Sequence, residues 1–323
     1  MRYIIYGAGA VGGSIGARLF VSGREVVLIA RGPHLEAIRR DGLRVRTPDG
    51  ESTTRVPAAG HPSEIEWSAD NVVLLTVKSQ HTATALDDLA TAAGDVPVVC
   101  AQNGVANERM ALRRFSRVYA MMVMLPATHV APGEVTMDAT PVGGLLDIGC
   151  YPRGSDALAE KIAGDLTEAG LDARVDPDVM RLKYGKLIEN LANVVQALCG
   201  LEATAGELVR AVRAEGVAVL TAAGIDSATE SEMDQRRAES KIALRPIEGQ
   251  GRGGSTWQSL ARRAGSVETD YLNGEIALLG ALYEVPTPYN RLLQRLAAQA
   301  AREGRAPGSY TVEQLMALVG EAL

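Results

Sequence analysis

Apolar residues along this chain fall into two rhythms. In the first half they arrive as short continuous runs: YIIY (3–6), VVLIA (26–30), NVVLLTV (71–77), VPVVCAQ (96–102), RVYAMMVML (117–125) and GLLDIG (144–149). A helical stretch over about 155–169 and a short strand at 173–175 follow. Unbroken apolar runs separated by helical segments predict strands buried on both faces, the pattern of a doubly wound, mostly parallel sheet. Near residue 177 the rhythm changes. Helical spacing predicts helices over 178–200, 205–224, 267–283, 287–302 and 311–322, with no further strand. The division expected is therefore an α/β domain over 1–177 and an all-α domain over 178–323. Between the later helices, EGQGRGGS (248–255) reads as a flexible loop near the active site.

The first strand runs directly into GAGAVGG. Gly7, Gly9 and Gly12 match G-x-G-x-x-G. The first glycine permits a tight turn, the second lets a phosphate approach the backbone, and the third lets helix and strand pack closely. Val11, Ile15 and Leu19 keep helical spacing, so a helix opens here, with Ala10 and Val11 in its first turn. Its free N–H groups and positive dipole end suit a pyrophosphate. The α/β domain is thus read as a Rossmann-type, dinucleotide-binding domain.

The second strand selects the cofactor. An NAD site places Asp or Glu near its end for the ribose 2′-hydroxyl. Here Arg31 and Gly32 stand instead. A guanidinium binds a 2′-phosphate bidentately, so the reading is NADP. His34, Arg39 and Arg40 on the next helix read as surface residues. Lys78 (in VKSQ) and Asn103 (in AQNGV) each follow a strand, at the carboxyl edge where open α/β sheets bind ligands.

Composition narrows the class. A chain of 323 residues accommodates two cores. A net charge of −6 argues against nucleic acid as the main partner. Cys100, Cys150 and Cys199 form no CxxC pair and read as reduced thiols, and the four histidines lack metal-ligand spacing, so no metal is expected. No signal-peptide pattern opens the chain and no apolar stretch is long enough to span a bilayer. The expectation is a cytoplasmic enzyme with a small-molecule substrate.

The segment LKYGKLIENLANVVQALCG carries the remaining chemistry. On one continuous helix at about 100° per residue, Lys183, Lys186, Asn190 and Asn193 share a stripe roughly 80° wide. Asparagine is a poor helix former and suits a cleft that grips a polar substrate better than a solvated face. Hydride addition to a carbonyl develops charge on oxygen, and an ammonium beside it stabilises that charge and donates a proton. Lys186 is the candidate acid, with Asn190 one turn away; Lys183 is its rival.

With these residues in place, the sequence resembles the ketopantoate reductase (2-dehydropantoate 2-reductase) family, within the 6-phosphogluconate-dehydrogenase-like folds. GAGAVGG, Arg31, VKSQ, QNGV, KLIEN and GSVETDYLNG carry the resemblance along nearly the whole chain. It implies an NADP-binding domain followed by a helical domain that supplies substrate residues. Lys186 and Asn190 match the family's lysine–asparagine motif, in which the lysine is the general acid. Glu268 matches the glutamate of E-x-D-Y-x-N-G, counted with Lys186 and Asn190 as catalytic. Ser255 and Thr256 match the stretch that holds the substrate carboxylate, and Lys78 and Asn103 match residues at the ribose and the reacting centre. The implied reaction is NADPH-dependent reduction of a 2-oxo acid, by default 2-dehydropantoate to pantoate, with a homodimer as the assembly. The chain also departs from the pattern. Val194 stands where a second asparagine is usual and Asn193 comes one residue early; Trp257 and Leu260 replace a methionine and an aspartate. Two alternatives stay open: a related reductase of another carbonyl or imine in secondary metabolism, and a non-catalytic NADP-binding sensor.

Overall fold

The computed structural model describes residues 1–247 and 253–320. The chain begins β1 (Arg2–Tyr6), α1 (Ala10–Val21), β2 (Glu25–Ile29), α2 (Gly32–Asp41), β3 (Leu43–Thr47), β4 (Gly50–Thr54), β5 (Ala58–Ala59) and β6 (Asn71–Leu75). It continues α3 (Thr82–Ala93), β7 (Val98–Cys100), α4 (Asn107–Leu112), β8 (Val118–Met124), β9 (Ala127–Ala131), β10 (Glu134–Met137), β11 (Ala139–Thr140), β12 (Leu145–Cys150) and α5 (Ala157–Glu168). Then come α6 (Val179–Asn190), α7 (Asn193–Cys199), α8 (Gly206–Ala222), α9 (Glu230–Glu239), β13 (Ala243–Leu244), α10 (Ser255–Ala261), α11 (Asn273–Leu282), α12 (Pro288–Arg302) and α13 (Val312–Gly320). Two compact units result. The first holds Met1–Lys183 and Glu230–Glu248, the second Tyr184–Thr229 and Gly249–Leu323.

In the first unit the apolar runs form a seven-stranded sheet in the order β12-β8-β7-β6-β1-β2-β5. All pairings are parallel except β12 against β8. β1 sits between β2 and β6, with Ile4 opposite both Val27 and Val73. The chain leaves β1 toward β2 and later returns on its other side as β6. That reversal opens a crevice beyond the carboxyl end of β1, where the glycine cluster lies.

A second sheet, in the order β4-β3-β10-β9, did not stand out from the apolar pattern. Helix α1 packs against both sheets, and its glycines make this possible. A Cβ on Gly16 would lie 2.5 Å from Leu28 of the large sheet; one on Gly13 would lie 3.2 Å from Val135 of the small one. Bulkier side chains on either face would push the sheets apart.

The expectation that strands end at residue 177 is corrected by β13, which pairs antiparallel with β11. Two residues are too short to show a periodicity. An ion pair also anchors this segment in the first unit. Buried Arg236 of α9 forks onto Asp147 of β12 at 2.6 and 2.7 Å and reaches Asp172 at 3.0 Å. Bidentate geometry makes such pairs both strong and directional.

The described part of the second unit is helical, but three expected elements differ. The helix expected over 178–200 breaks at residues 191–192, where the Ala192 N–H reaches back three residues to Glu189 at 3.4 Å. The one expected over 267–283 starts as a tight 3-10 turn (Glu268–Tyr271) and is redirected at Leu272 before α11. In the stretch 248–255, residues 248–252 lie outside the described residues and Ser255 already belongs to α10. Residues 321 and 322 of the expected last helix also lie outside them.

Lys183 points into the first unit and is withdrawn from water. Its side chain is 2 % exposed, lies 2.6 Å from Oε1 of fully buried Glu108 on α4, and donates to the carbonyls of Gln102 (2.8 Å), Met121 (3.2 Å) and Cys100 (3.4 Å). The rival proton donor is therefore committed to the interior. Lys183→Met should lower stability by about 3–5 kcal/mol, because it strands a buried carboxylate, and Lys183→Met/Glu108→Leu should recover most of the loss. Urea unfolding reads both. A single variant as stable as the wild type would show the pair to be incidental.

Candidate functional site

The glycine turn is held from two directions. After β1 the backbone turns at Gly7, whose φ of +114° favours glycine. The N–H groups of Gly7 and Ala8 donate to the Ile29 carbonyl at the end of β2, at 3.1 and 3.0 Å. From the end of β6, the Thr76 hydroxyl lies 3.1 Å from the Tyr6 carbonyl and 2.9 Å from that of Gly7. A Cβ on Gly12 would run into the Gly7 carbonyl and the Thr76 hydroxyl, so the closest approach of helix and strand is here. A Cβ on Gly9 would meet no described atom within 4 Å. The first helical bond is Gly13 N–H to Gly9, so the N–H groups of Ala10, Val11 and Gly12 precede the helical ladder. Space at Gly9 and these leading donors fit a pyrophosphate.

His34 corrects an expectation. It is half-buried rather than a surface residue, and its Nε2 lies 2.7 Å from the Ala8 carbonyl inside the glycine turn. Arg39 and Arg40 are exposed, as expected. Arg31 precedes α2 as its N-cap residue with its side chain 62 % exposed, and a guanidinium nitrogen lies 3.8 Å from Asp88 of α3. The same Asp88 oxygen lies 3.4 Å from the Tyr6 hydroxyl and 3.6 Å from His61. Asp88 was not singled out from the sequence; it is one of two adjacent acids on α3, and only folding brings it to Arg31.

Lys78 and Asn103 are drawn together by polar side chains between their loops. Asn107 donates to the Asn103 carbonyl (3.1 Å) and to the Ser79 hydroxyl (3.2 Å), and accepts from Thr82 (2.8 Å). Gln102 donates to the Val77 carbonyl (2.7 Å) and to the Thr82 hydroxyl (2.8 Å). Lys183 in turn grips the Gln102 carbonyl. Lys78 itself starts the short 3-10 turn Ser79–His81. Of these buried partners, Gln102 opens the QNGV motif, whereas Asn107 and Thr82 belong to no motif singled out from the sequence.

The remaining candidates belong to the second unit. Lys186 of α6 lies 2.9 Å from Glu189, with its side chain about one-fifth exposed. Asn190 is buried at the end of the helix. Because the helix breaks after it, Asn193 starts a new helix, and its amide lies 3.4 Å from Asn190 Oδ1. The two asparagines that share the expected stripe thus stay within reach of each other across the break. The Gly254 N–H donates to Gln196 of α7 at 2.7 Å, and a Cβ on Gly254 would lie 3.0 Å from Asn193 Oδ1. This tight approach sets the first residues of α10 against α7: Ser255 is half-buried and Thr256 fully buried. Trp257 is half-buried, with its ring stacked over Gly253, and Leu260 is buried. Glu268 is buried at the start of the 3-10 turn. Asn193 and Gln196 also line a cleft of about 360 Å³ walled by Val195, Leu201 and Val209. No group of three His, Cys, Asp or Glu side chains able to hold a metal ion occurs among the described residues.

Comparison with known proteins decides the family. Residues 3–153 match the family described as Ketopantoate reductase PanE/ApbA, and residues 178–301 match its C-terminal counterpart. The chain belongs to the ketopantoate reductase family. Its relatives include a 2-dehydropantoate 2-reductase of Pyrococcus horikoshii, 27 % identical over 96 % of this chain and 100 % of that protein. Another, from Archaeoglobus fulgidus, is 29 % identical over 91 % of this chain and 96 % of that protein. Among solved structures, a PanE/ApbA family ketopantoate reductase from Ralstonia eutropha JMP134 superposes with a TM-score of 0.77 at 29 % identity, covering 94 % of this chain and 99 % of that one. A D-mandelate dehydrogenase solved with NADH and anilino(oxo)acetate gives 0.78 at 25 % identity, over 94 % and 99 %. The chain is thus an NAD(P)-dependent oxidoreductase with a Rossmann-type domain and a helical C-terminal domain.

The cradle separates stability from binding at two glycines. Gly9→Ala has room and no backbone strain, so its stability should stay within about 0.5 kcal/mol of wild type, while dinucleotide affinity falls at least about tenfold as the methyl enters the phosphate space. Gly12→Ala should lose both. Thermal melts and fluorescence titration with NADPH measure the pair. Undiminished binding by Gly9→Ala would place the pyrophosphate elsewhere.

Proposed function

We propose that the protein reduces 2-dehydropantoate (ketopantoate) to pantoate with NADPH, a step of pantothenate biosynthesis, in the cytoplasm. The observation that carries this reading is the glycine cradle tied to the end of β2, where Arg31 stands in place of the acid that NAD sites use. Gly7, Gly9, Ala10, Val11 and Gly12 would hold the pyrophosphate, Arg31 the 2′-phosphate, and Lys78 and Asn103 the ribose and the nicotinamide side. When bound, NADPH supplies the hydride that reduces the C2 carbonyl.

The chain's own residues do the rest. Lys186 donates the proton to the carbonyl oxygen, and its contact with Glu189 holds the ammonium in place until then. Asn190 and Asn193 orient the oxygen-rich substrate by amide hydrogen bonds. Ser255 and Thr256 serve its carboxylate, and Glu268 completes the polar set. No helix among the described residues is long and apolar enough to cross a membrane. Assembly as a homodimer belongs to the same proposal, supported by Leu278, Leu282 and Tyr283, which lie exposed at the end of α11; light scattering reads it.

A bulkier 2-oxo acid is a second reading. It is favoured by Trp257, whose half-buried indole lies against Gly253 and offers apolar surface, and by the likeness to the D-mandelate dehydrogenase. NADPH consumption across a panel of 2-oxo acids separates the two, and complementation of a pantothenate auxotroph tests the first. A soluble, NADPH-binding protein that fails to complement would overturn the pantothenate role.

Two substitutions test the assignments directly. Arg31→Ala should cost roughly 1.5–3 kcal/mol of NADPH binding and leave NADH little changed; equal losses would show that Arg31 does not read the 2′-phosphate. Lys186→Ala should lower turnover by about 10²–10⁴ with NADPH affinity nearly intact. Turnover close to wild type would remove Lys186 from the chemistry.

A further inference from the structure

His34 connects two pieces of backbone that are distant in sequence. Its Nε2 lies 2.7 Å from the Ala8 carbonyl, between the first two glycines of the turn. Its Nδ1 accepts the N–H of Gly133, in the β9–β10 connection, at 2.8 Å. A carbonyl can only accept, so Nε2 carries the proton; a backbone N–H can only donate, so Nδ1 carries none. The ring is therefore neutral with a fixed tautomer. The titratable side chain facing it from the packed elements is His129 of β9, at 3.2 Å from Nδ1 and with ring centroids 4.3 Å apart. The turn and Gly133 face it with backbone alone, and Arg31 and Glu36, the N-cap and a member of its own helix, are exposed.

We infer that His34 is a positioning residue for the cofactor: it fixes the Ala8 carbonyl, and through it the glycine turn, in the shape that receives the pyrophosphate. The inference rests on reading that turn as the dinucleotide site. Bonding Ala8 outward to His34 braces the short backbone segment that leads to Gly9 and to the leading N–H groups of α1. A half-buried imidazole bonded at both nitrogens is more rigid than a solvated contact, so the turn is set before the ligand arrives.

The arrangement also has a proton dependence. Burial pushes the His34 pKa below the ordinary histidine range, against the opposing pull of the Ala8 carbonyl. The neutral, bracing form is present above that ordinary range and is lost as pH falls through the lowered value. A proton on Nδ1 would oppose the Gly133 N–H.

The test compares three probes by titration: NADPH; NAD⁺, which has the pyrophosphate but no 2′-phosphate; and adenosine 2′-monophosphate, which has the reverse. His34→Leu should weaken NADPH and NAD⁺ together by about tenfold or more, the worth of one lost hydrogen bond, and leave adenosine 2′-monophosphate unchanged. His34→Gln, whose amide donates and accepts like the ring, should restore both dinucleotides. Unaltered dinucleotide binding by His34→Leu, or an equal loss of all three probes, overturns the inference. If His34→Leu does not fold, the comparison of wild type with His34→Gln decides. Wild-type NAD⁺ affinity should hold through the ordinary histidine range near about 6.5 and fall as the pH drops below it, while that of His34→Gln stays level; parallel falls overturn the inference. Wild-type protein that ignores adenosine 2′-monophosphate would instead count against the NADPH reading, with the His34 result still legible from NAD⁺.

Discussion

Lys183 carries its charge into a place from which water is excluded, and the first unit is arranged around that fact. An ammonium in such surroundings is tolerable only beside an opposite charge and with its protons used. Glu108 supplies the charge; the carbonyls of Cys100, Gln102 and Met121 take the protons. Cys100 is the last residue of β7 and Met121 lies within β8, so one side chain ties neighbouring strands and the loop that follows β7. The same burial, with Glu108 nearby, pushes the Cys100 thiol well above its ordinary range and leaves it unreactive. Through Gln102 the constraint passes to Val77 and Thr82, and so to the two loops that carry Lys78 and Asn103. A buried pair of this kind is weak evidence for stability; what it does here is tie these backbone carbonyls to one ammonium.

The glycine turn obeys a complementary logic. Apart from its internal bond, the Gly9 N–H to the Gly7 carbonyl at 2.7 Å, its restraints come from outside: Ile29 from β2, Thr76 from the end of β6, and His34 from α2. The space left at Gly9 is what those restraints preserve. The α1 glycines then let one helix serve two sheets, so the turn is fixed by the packing of the helix that follows it.

Much of this was legible from local sequence. β1, the glycine turn, α1, β2 and Arg31 occupy one continuous stretch, and each is set by near neighbours: apolar run, glycine spacing, helical period. The family followed from the same motifs. What escaped notice depended on distant partners or weak periodicity. The strands LRVRT and GESTT bury too little apolar surface to stand out. His34 looked like an ordinary residue on a polar helix, since its partners are Ala8 and Gly133. ENLANVV holds neither glycine nor proline, so nothing in it announced the helix break between Asn190 and Asn193. Lys183 and Lys186 shared a helical stripe; burial, which periodicity could not report, commits the first to Glu108.

A dinucleotide held at the glycine turn and delivering its hydride to the C2 carbonyl of 2-dehydropantoate leaves an isotopic signature. NADPH carrying deuterium at both C4 positions reads it in one experiment. Pantoate should form with one deuterium at C2, in step with NADPH consumption, as analysed by mass spectrometry and NMR. Pantoate without deuterium at C2, or no consumption of NADPH by a folded protein that binds it, would refute this transfer.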